Sequence, residues 1–326
     1  MLSIGVIGLG IMGRRMLGSL TTHPGFRVAG AWDPSADART IFATTYPGIP
    51  LLESAADLIG LLGLDAVYIA SPPRSHIEHL DRAFDAGRAA LCEKPLSVDA
   101  GQSRRLVARA TAEGQRAAVN FPFASSIGVT ALLADLAALG PIRSIDVEVG
   151  FAAWPRQWQE AAAPWLGRRG EGGFVREVVS HFLFLARRLG GPLTVLDGHV
   201  AYPSDGETAE TALEARLTAG EVPLRLTGGV GGWHTEIDEN TCVIEAAGGA
   251  LRIRDWIGVE RRMAAGWVPL DLGEGDLRQR AAALQLDGLA ALIEGRPHHL
   301  PTLSEALDVQ VTVETLLSSG AGMPTV

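Results

Sequence analysis

Six residues, Gly8-Leu9-Gly10-Ile11-Met12-Gly13, join an apolar run at 3–7 to an amphipathic stretch at 11–22. A strand that turns on glycines straight into a helix leaves few folds open. Gly8 permits the tight turn, Gly10 lets the backbone approach a pyrophosphate, and Gly13 lets the helix pack close to the strand. The N–H groups at the helix start, from Ile11 and Met12, and the positive end of its dipole then face the anion. Asp33 stands twenty residues beyond Gly13, just past an apolar run at 27–32, where a carboxylate accepts hydrogen bonds from the ribose hydroxyls of an adenosine half. A 2'-phosphate about 4 Å from that carboxylate would meet a repulsion on the order of 4 kcal/mol at an effective dielectric near 20, so NAD is expected over NADP. Arg39, a turn or two further on, is the nearby residue able to reach such a phosphate.

The rest of the first third repeats the alternation. Short apolar runs at 66–70, 89–92 and 117–120 are separated by helical patterns at 36–45, 54–62, 74–86 and 99–113, which demands a parallel sheet covered on both faces. Ser54 and the stretch 97–99 suit helix starts, and Gly87 and Gly114 stand where helices stop. After Pro122 the texture changes. A helix at 125–139 ends on Gly140-Pro141, and period-two segments follow at 142–151, 195–201, 211–217, 224–230, 241–246 and 250–256, interrupted by one helix at 174–189. Near the end, the stretch 296–301 breaks the chain, and Thr302 with Glu305 offers a capping box for a last helix to 318. The expected architecture is α/β: a Rossmann-type, doubly wound parallel sheet over 1–122, an α+β domain with a mainly antiparallel sheet over 123–300, and a C-terminal helix within 301–326.

Composition narrows the partners. With 28 Lys and Arg against 37 Asp and Glu, the net charge of −9 repels a phosphate backbone, and the basic pairs are scattered among acids, so nucleic acid is not expected. Although 47% of residues are hydrophobic, no run of eighteen uncharged apolar residues appears, so no membrane span is expected. The apolar start is not expected to be a secretion signal, because Arg14 and Arg15 follow it and no small-residue cleavage pattern is present. Two cysteines, Cys92 and Cys242, make no disulfide framework, which fits a reducing cytoplasm, and no set of His, Cys, Asp and Glu has ligand spacing for a metal.

Carboxyl ends of strands in a doubly wound sheet point into the ligand crevice. Two such ends carry chemistry here: Ser71-Pro72-Pro73 with His76, and Glu93-Lys94-Pro95. Together with the glycine turn, these motifs resemble the glucose-fructose oxidoreductase and inositol dehydrogenase family, Gfo/Idh/MocA; the resemblance runs nearly end to end and implies an open second sheet and a C-terminal helix over 301–326 that packs back on the first domain. A third family signature is a glycine-rich turn opening a helix with an Asp and, four residues on, a His. This chain has Gly172-Gly173 followed by Glu177 and His181, with Glu in place of the usual Asp and Val179 in place of the usual Gly. Residues four apart share a helix face, so Glu177 and His181 are expected to reach one site.

The resemblance implies an NAD-dependent dehydrogenase or reductase acting on a CH–OH group of a sugar, polyol or related small molecule, and a homodimer or homotetramer formed through the second sheet. The alternating Val and Ile of 142–151 permit that contact. By resemblance, His181 is the general acid/base, Lys94 the charged donor to the reacting oxygen, and Glu177 the residue that orients His181 or binds an adjacent hydroxyl. Gly8, Gly10, Ile11, Met12, Gly13, Asp33, Ser71, Pro72, His76, Glu93 and Lys94 are the expected cofactor contacts. Trp154, Trp158, Trp165 and Arg168, on a loop-like segment before the Glu177 helix, are candidates to stack on or hold the substrate, and the tryptophans equally suit a subunit contact. Two other readings share the fold: a regulatory protein that binds the cofactor without turnover, and a glycoside hydrolase that uses it transiently.

Overall fold

The computed structural model describes residues 1–156, 159, 164–231 and 238–319. By internal contacts the chain divides into two units, Met1–Ser125 with Arg278–Leu307, and Ser126–Leu277 with the residues from Asp308 on.

The first unit holds a five-stranded parallel sheet of β1 (Leu2–Ile7), β2 (Phe26–Trp32), β3 (Ala66–Ile69), β4 (Ala89–Glu93) and β5 (Ala117–Asn120), in the order β2-β1-β3-β4-β5. Connecting helices are α1 (Ile11–Thr22), α2 (Ala36–Thr45), α3 (Ala55–Ile59), α4 (His76–Asp85) and α5 (Ala100–Glu113). Side chains alternate across a strand, so each face has its own apolar set. Ile4, Val6, Ala66, Tyr68, Ala89, Leu91 and Ala118 join Met16, Leu17 and Leu20 of α1 in one core. On the opposite face the absent side chain of Gly5 makes room for Leu58 of α3, whose atoms would lie 3.0 Å from a Cβ there. Helices start where the sequence suggests: the Ser54 side chain accepts from Asp57 N, and the Asp99 side chain from Gln102 N.

The second unit contains α6 (Ile127–Leu139), β6 (Ile142–Phe151), α7 (Ser180–Gly190), and strands β7 (Leu193–Ala201), β8 (Ala212–Ala219), β9 (Val222–Val230), β10 (Glu239–Ala246), β11 (Gly249–Arg254), β12 (Gly258–Met263) and β13 (Gly266–Pro269). Its eight-stranded sheet runs β13-β12-β11-β10-β6-β9-β8-β7, and of these pairs only β6 with β9 is parallel. This is the mainly antiparallel sheet read from the sequence. Ile145, Val147, Val149 and Phe151 of β6, Leu224 and Leu226 of β9, and Cys242 and Ile244 of β10 are buried in the unit's own core. The other face carries charge, including the Arg225–Asp146 ion pair at 2.8 Å. The apolar alternation of 142–151, which by sequence permits a subunit contact, faces inward.

Two helices close the chain, α8 (Leu277–Ile293) and α9 (Leu303–Ser319). The sequence reading assigned 277–293 no helix and grouped it with the second domain. In the structure Leu286, Leu289, Leu292 and Ile293 of α8 pack into the core of the first unit, while α9 contributes only its first residues there. From Asp308 on, α9 belongs to the second unit, where Asp308 pairs with Arg187 and Glu314 with Arg176, each at 2.8 Å. The capping box is present: Glu305 Oε2 accepts from Thr302 N at 2.8 Å, and Thr302 Oγ1 accepts from Glu305 N at 3.1 Å. Among the described residues, no helix is long and apolar enough to cross a membrane.

Candidate active site

In the first unit, β1 lies between β2 and β3, so the chain leaves β1 at the point where the strand order reverses. Gly8 opens the turn there at φ +93, and a Cβ on it would meet Ala70 O at 2.5 Å; a Cβ on Gly13 would lie 1.9 Å from Gly8 O. Both glycines are therefore dictated by the protein's own backbone. Gly10 is different. Its φ of −68 suits any residue, and a Cβ there would meet no protein atom within 4 Å. A methyl group at Gly10 would stand only in the way of a group lying along the turn, which is the fit a dinucleotide pyrophosphate requires. Asp33 fixes the turn from beyond β2: its Oδ2 accepts from Leu9 N at 2.7 Å and its Oδ1 from Ser35 N at 2.8 Å. Arg39 Nη1 donates to the carbonyls of Asp33 and Pro34 at 2.7 and 3.2 Å, which ties the guanidinium to the strand end.

The contact of Gly8 with Ala70 and Ser71 brings the second motif beside the first. Ser71 Oγ accepts from Ser75 Oγ at 2.7 Å, and Pro72 is exposed. His76 and Glu93, expected as cofactor contacts, do not present their side chains to a crevice. The His76 ring is fully buried, with Nε2 2.8 Å from Ser71 O and Nδ1 2.9 Å from Pro95 O. It clips the loop after β3 to the loop after β4. Burial pushes the imidazole down to about 4, against the pull of the two carbonyls. Glu93 lies on the same sheet face as Leu91, by strand alternation, and is buried. Its Oε1 accepts from Tyr68 Oη and, at 2.7 Å, from Asn120 Nδ2; Asn120 Oδ1 in turn accepts from Gln285 of α8. Burial raises the Glu93 carboxyl, its hydrogen bonds and the Lys94 charge opposing. Both residues are framework, and they hold half-buried Lys94 at the end of β4.

In the second unit, His181 is buried at the start of α7, and Glu177 is half-buried in a π-helical turn, Val175–Val179, that precedes it. The wider coil replaces the expected α-helical spacing between the two, a device common at functional positions. Glu210, which the sequence reading did not single out, anchors this turn: its Oε1 accepts from Val175 N at 2.7 Å, beneath Gly173 at φ +100. Arg176 is committed to Glu314, Arg169 O and Gly172 O. Trp256 stands edge-on to His181, with ring centres 5.2 Å apart. It and Asp255 form the tip of the β11–β12 hairpin at φ 74 and 48, two successive left-handed non-glycine residues.

The tryptophan segment behaves differently from expectation. Trp154 Nε1 donates to Leu166 O at 3.0 Å, and its ring packs on Phe151 and Phe174. Arg156 lies over the same ring, 5.7 Å from its centre, so Trp154 is a wall of the unit rather than an open stacking plate. Trp165 is half-buried in a short turn, Arg168 is exposed in a bridge with Thr208, and Trp158 lies outside the described residues. Arg156 itself was passed over. It lies 82 residues from its ion-pair partner Asp238, and no local pattern links them. Among the described residues, no group of three His, Cys, Asp or Glu side chains is placed to hold a metal ion.

Residues 2–121 match the model of a family described as an oxidoreductase family with an NAD-binding Rossmann fold. Among curated proteins, the chain is 36% identical over 115 residues to an inositol 2-dehydrogenase of Saccharopolyspora erythraea, covering 35% of this chain and 34% of that protein. It is 36% identical over 121 residues to a dTDP-3,4-didehydro-2,6-dideoxy-alpha-D-glucose 3-reductase of Actinomadura kijaniata, covering 37% and 36%. These matches span about a third of the relatives' length. Solved structures extend the likeness in fold alone. An oxidoreductase from Agrobacterium radiobacter in complex with NAD+, L-tartaric acid and magnesium has a TM-score of 0.84 at 17% identity, over 98% of this chain and 96% of that one. A 3-ketoreductase from Actinomadura kijaniata in complex with NADP and TDP-benzene has a TM-score of 0.76 at 22% identity, over 98% of both. Residues 2–121, with their glycine turn and their Glu93-Lys94-Pro95 strand end, thus match the NAD-binding Rossmann part of the Gfo/Idh/MocA oxidoreductase family.

Proposed function

We propose that this protein is an NAD-dependent dehydrogenase or reductase acting on a secondary CH–OH group of a sugar, polyol or related small molecule. The observation that carries the reading is the glycine turn, where Gly8 and Gly13 are demanded by the protein's own backbone and Gly10 opens onto free space at the helix start, the place where a pyrophosphate lies in such a turn. Asp33, its carboxylate at the end of β2, suits ribose hydroxyls and disfavours a 2'-phosphate. The names of the relatives, inositol dehydrogenase and sugar 3-reductase, support the substrate class. Two free buried cysteines agree with a cytoplasmic location.

The nicotinamide ring, when bound, supplies the hydride acceptor or donor. The protein's part is proton and charge management. His181 removes the hydroxyl proton in the oxidative direction and returns it in the other, and its buried position keeps bulk water from that exchange. Lys94 gives a charged hydrogen bond to the reacting oxygen as negative charge grows on it. Glu177, one helical step before His181, orients the imidazole or accepts from a neighbouring hydroxyl. The test is absorbance at the NADH band with purified protein, NAD and a panel of sugars, polyols and sugar acids. Cofactor reduction by at least one compound is expected; tight NAD binding with silence across the panel rejects the dehydrogenase.

A further inference from the structure

His181 has to present one nitrogen to a substrate hydroxyl on every turnover, and burial alone does not aim an imidazole. The ring turns about a terminal bond whose torsional well is broad, so a neighbour has to hold its plane. Trp256 is that neighbour. The two ring centres lie 5.2 Å apart with the planes at 84°, the edge-to-face geometry that aromatic rings prefer. The indole also leans on fully buried Phe182, with centres 5.7 Å apart and planes at 34°. His181 is buried and Trp256 half-buried, so the indole covers the imidazole on the hairpin side.

The backbone beneath this contact is strained. Trp256 has φ 74, directly after Asp255 at φ 48. Glycine and asparagine suit such a position, and a bulky side chain does not. The tip is nevertheless held at two points. Asp255 N donates to Asn240 O of β10 at 3.0 Å, and Ile257 O sits where Gly128 of α6 has no side chain, 2.6 Å from where a Cβ would stand. Sparsely populated backbone conformations persist where the surroundings over-determine them, and they cluster at functional positions. What this strain delivers is an indole against the candidate acid/base. We propose that Trp256 is a positioning residue, which fixes the plane of the His181 imidazole and shields it from water without itself touching the reacting atoms. Its role in turnover rests on the dehydrogenase reading, whereas its hold on the imidazole is measurable without turnover.

The test uses two variants of the full chain. Trp256→Asn removes the ring while suiting the left-handed backbone, and Trp256→Phe keeps an aromatic face. With NAD and a compound found in the panel, Trp256→Asn should lower kcat about 3- to 10-fold, the worth of an edge-to-face pair, with Kd for NAD within about twofold of wild type. Trp256→Phe should recover most of that loss. In a His181→Ala background Trp256→Asn should bring no further loss, because its effect runs through the imidazole; a merely structural role would subtract again. Hydrogen–deuterium exchange at His181 Cε1, followed by mass spectrometry, needs no turnover, and should be at least about threefold faster in Trp256→Asn than in wild type or Trp256→Phe. If Trp256→Asn does not fold, Trp256→Gly, which suits the same backbone, takes its place. An unchanged kcat, an equal loss in the His181→Ala background, or an unchanged exchange rate overturns the proposal. Silence across the panel with faster exchange rejects the dehydrogenase and keeps the hold on the imidazole; NADH formation indifferent to Trp256 does the reverse.

Discussion

Alanine at each of the three turn glycines should produce different defects, because the protein crowds two of them and leaves one open. At Gly13 the added Cβ starts 1.9 Å from Gly8 O. An ordinary contact needs about 3.3 Å, so α1 and the turn must part by roughly 1.4 Å. Overpacking against backbone belongs at the upper end of the usual range, about 3 kcal/mol, which lowers Tm by roughly 6–12 °C in a protein of this size. Gly8→Ala adds strain at φ +93 to a 2.5 Å approach to Ala70 O and should do at least as much harm. Gly10→Ala meets nothing. Its lost advantage at the helix N-cap and its gain in unfolded-state entropy are each below about 1 kcal/mol and oppose each other, so Tm should move by no more than roughly 3 °C. A methyl pressed against a pyrophosphate nevertheless costs about 1–3 kcal/mol, or roughly 10- to 100-fold in Kd for NAD. Thermal denaturation and calorimetric titration with NAD read the two quantities independently. A Gly10→Ala protein that binds NAD within twofold of wild type would refute the reasoning, as would a Gly13→Ala protein of unchanged Tm.

His181→Ala should reduce turnover by about 10²- to 10⁴-fold with NAD affinity unchanged, measured by steady-state kinetics beside NAD titration; an unaffected rate removes His181 from the mechanism. The Michaelis constant for NAD should be at least about tenfold below that for NADP, and Asp33→Ala should narrow the ratio. His76, held near 4 in the fold against 6.5 in the unfolded chain, contributes stability that is fully present above pH 6.5 and is lost as pH falls toward 4. The loss amounts to about 3 kcal/mol, so denaturant unfolding of His76→Gln should show a shallower decline across that window, and parallel declines would contradict the assignment. Asp255→Gly relieves one left-handed non-glycine residue and should raise Tm by about 1–3 °C; a fall would show that the hairpin tip is not strained.

The glycine turn, the parallel order of the first sheet and the capping of α3, α5 and α9 were legible because each is written in neighbouring residues. Helix α8 was not. Its apolar residues Leu286, Leu289, Leu292 and Ile293 acquire a face only from a core built by residues 4–118, and Gln285 has meaning only beside Asn120. Strands β12 and β13 escaped because they are short and exposed at the sheet edge, with Arg261 and Arg262 breaking the period. At the site, position was easier to read than direction. The ends of β3 and β4 were found, but whether His76 and Glu93 turn outward or into the fold depends on the carbonyls of Ser71 and Pro95 and on Tyr68 and Asn120. Arg156 with Asp238, and Trp256 with His181, are unions of distant segments that no local period announces.

Hydride transfer itself is tested most directly by isotope. A substrate found in the panel is prepared with deuterium on its carbinol carbon, incubated with the protein and NAD, and the reduced cofactor is weighed by mass spectrometry. The account predicts one deuterium in each NADH formed, in step with oxidised product. Unlabelled NADH, or product released with no reduced cofactor at any time, would contradict it.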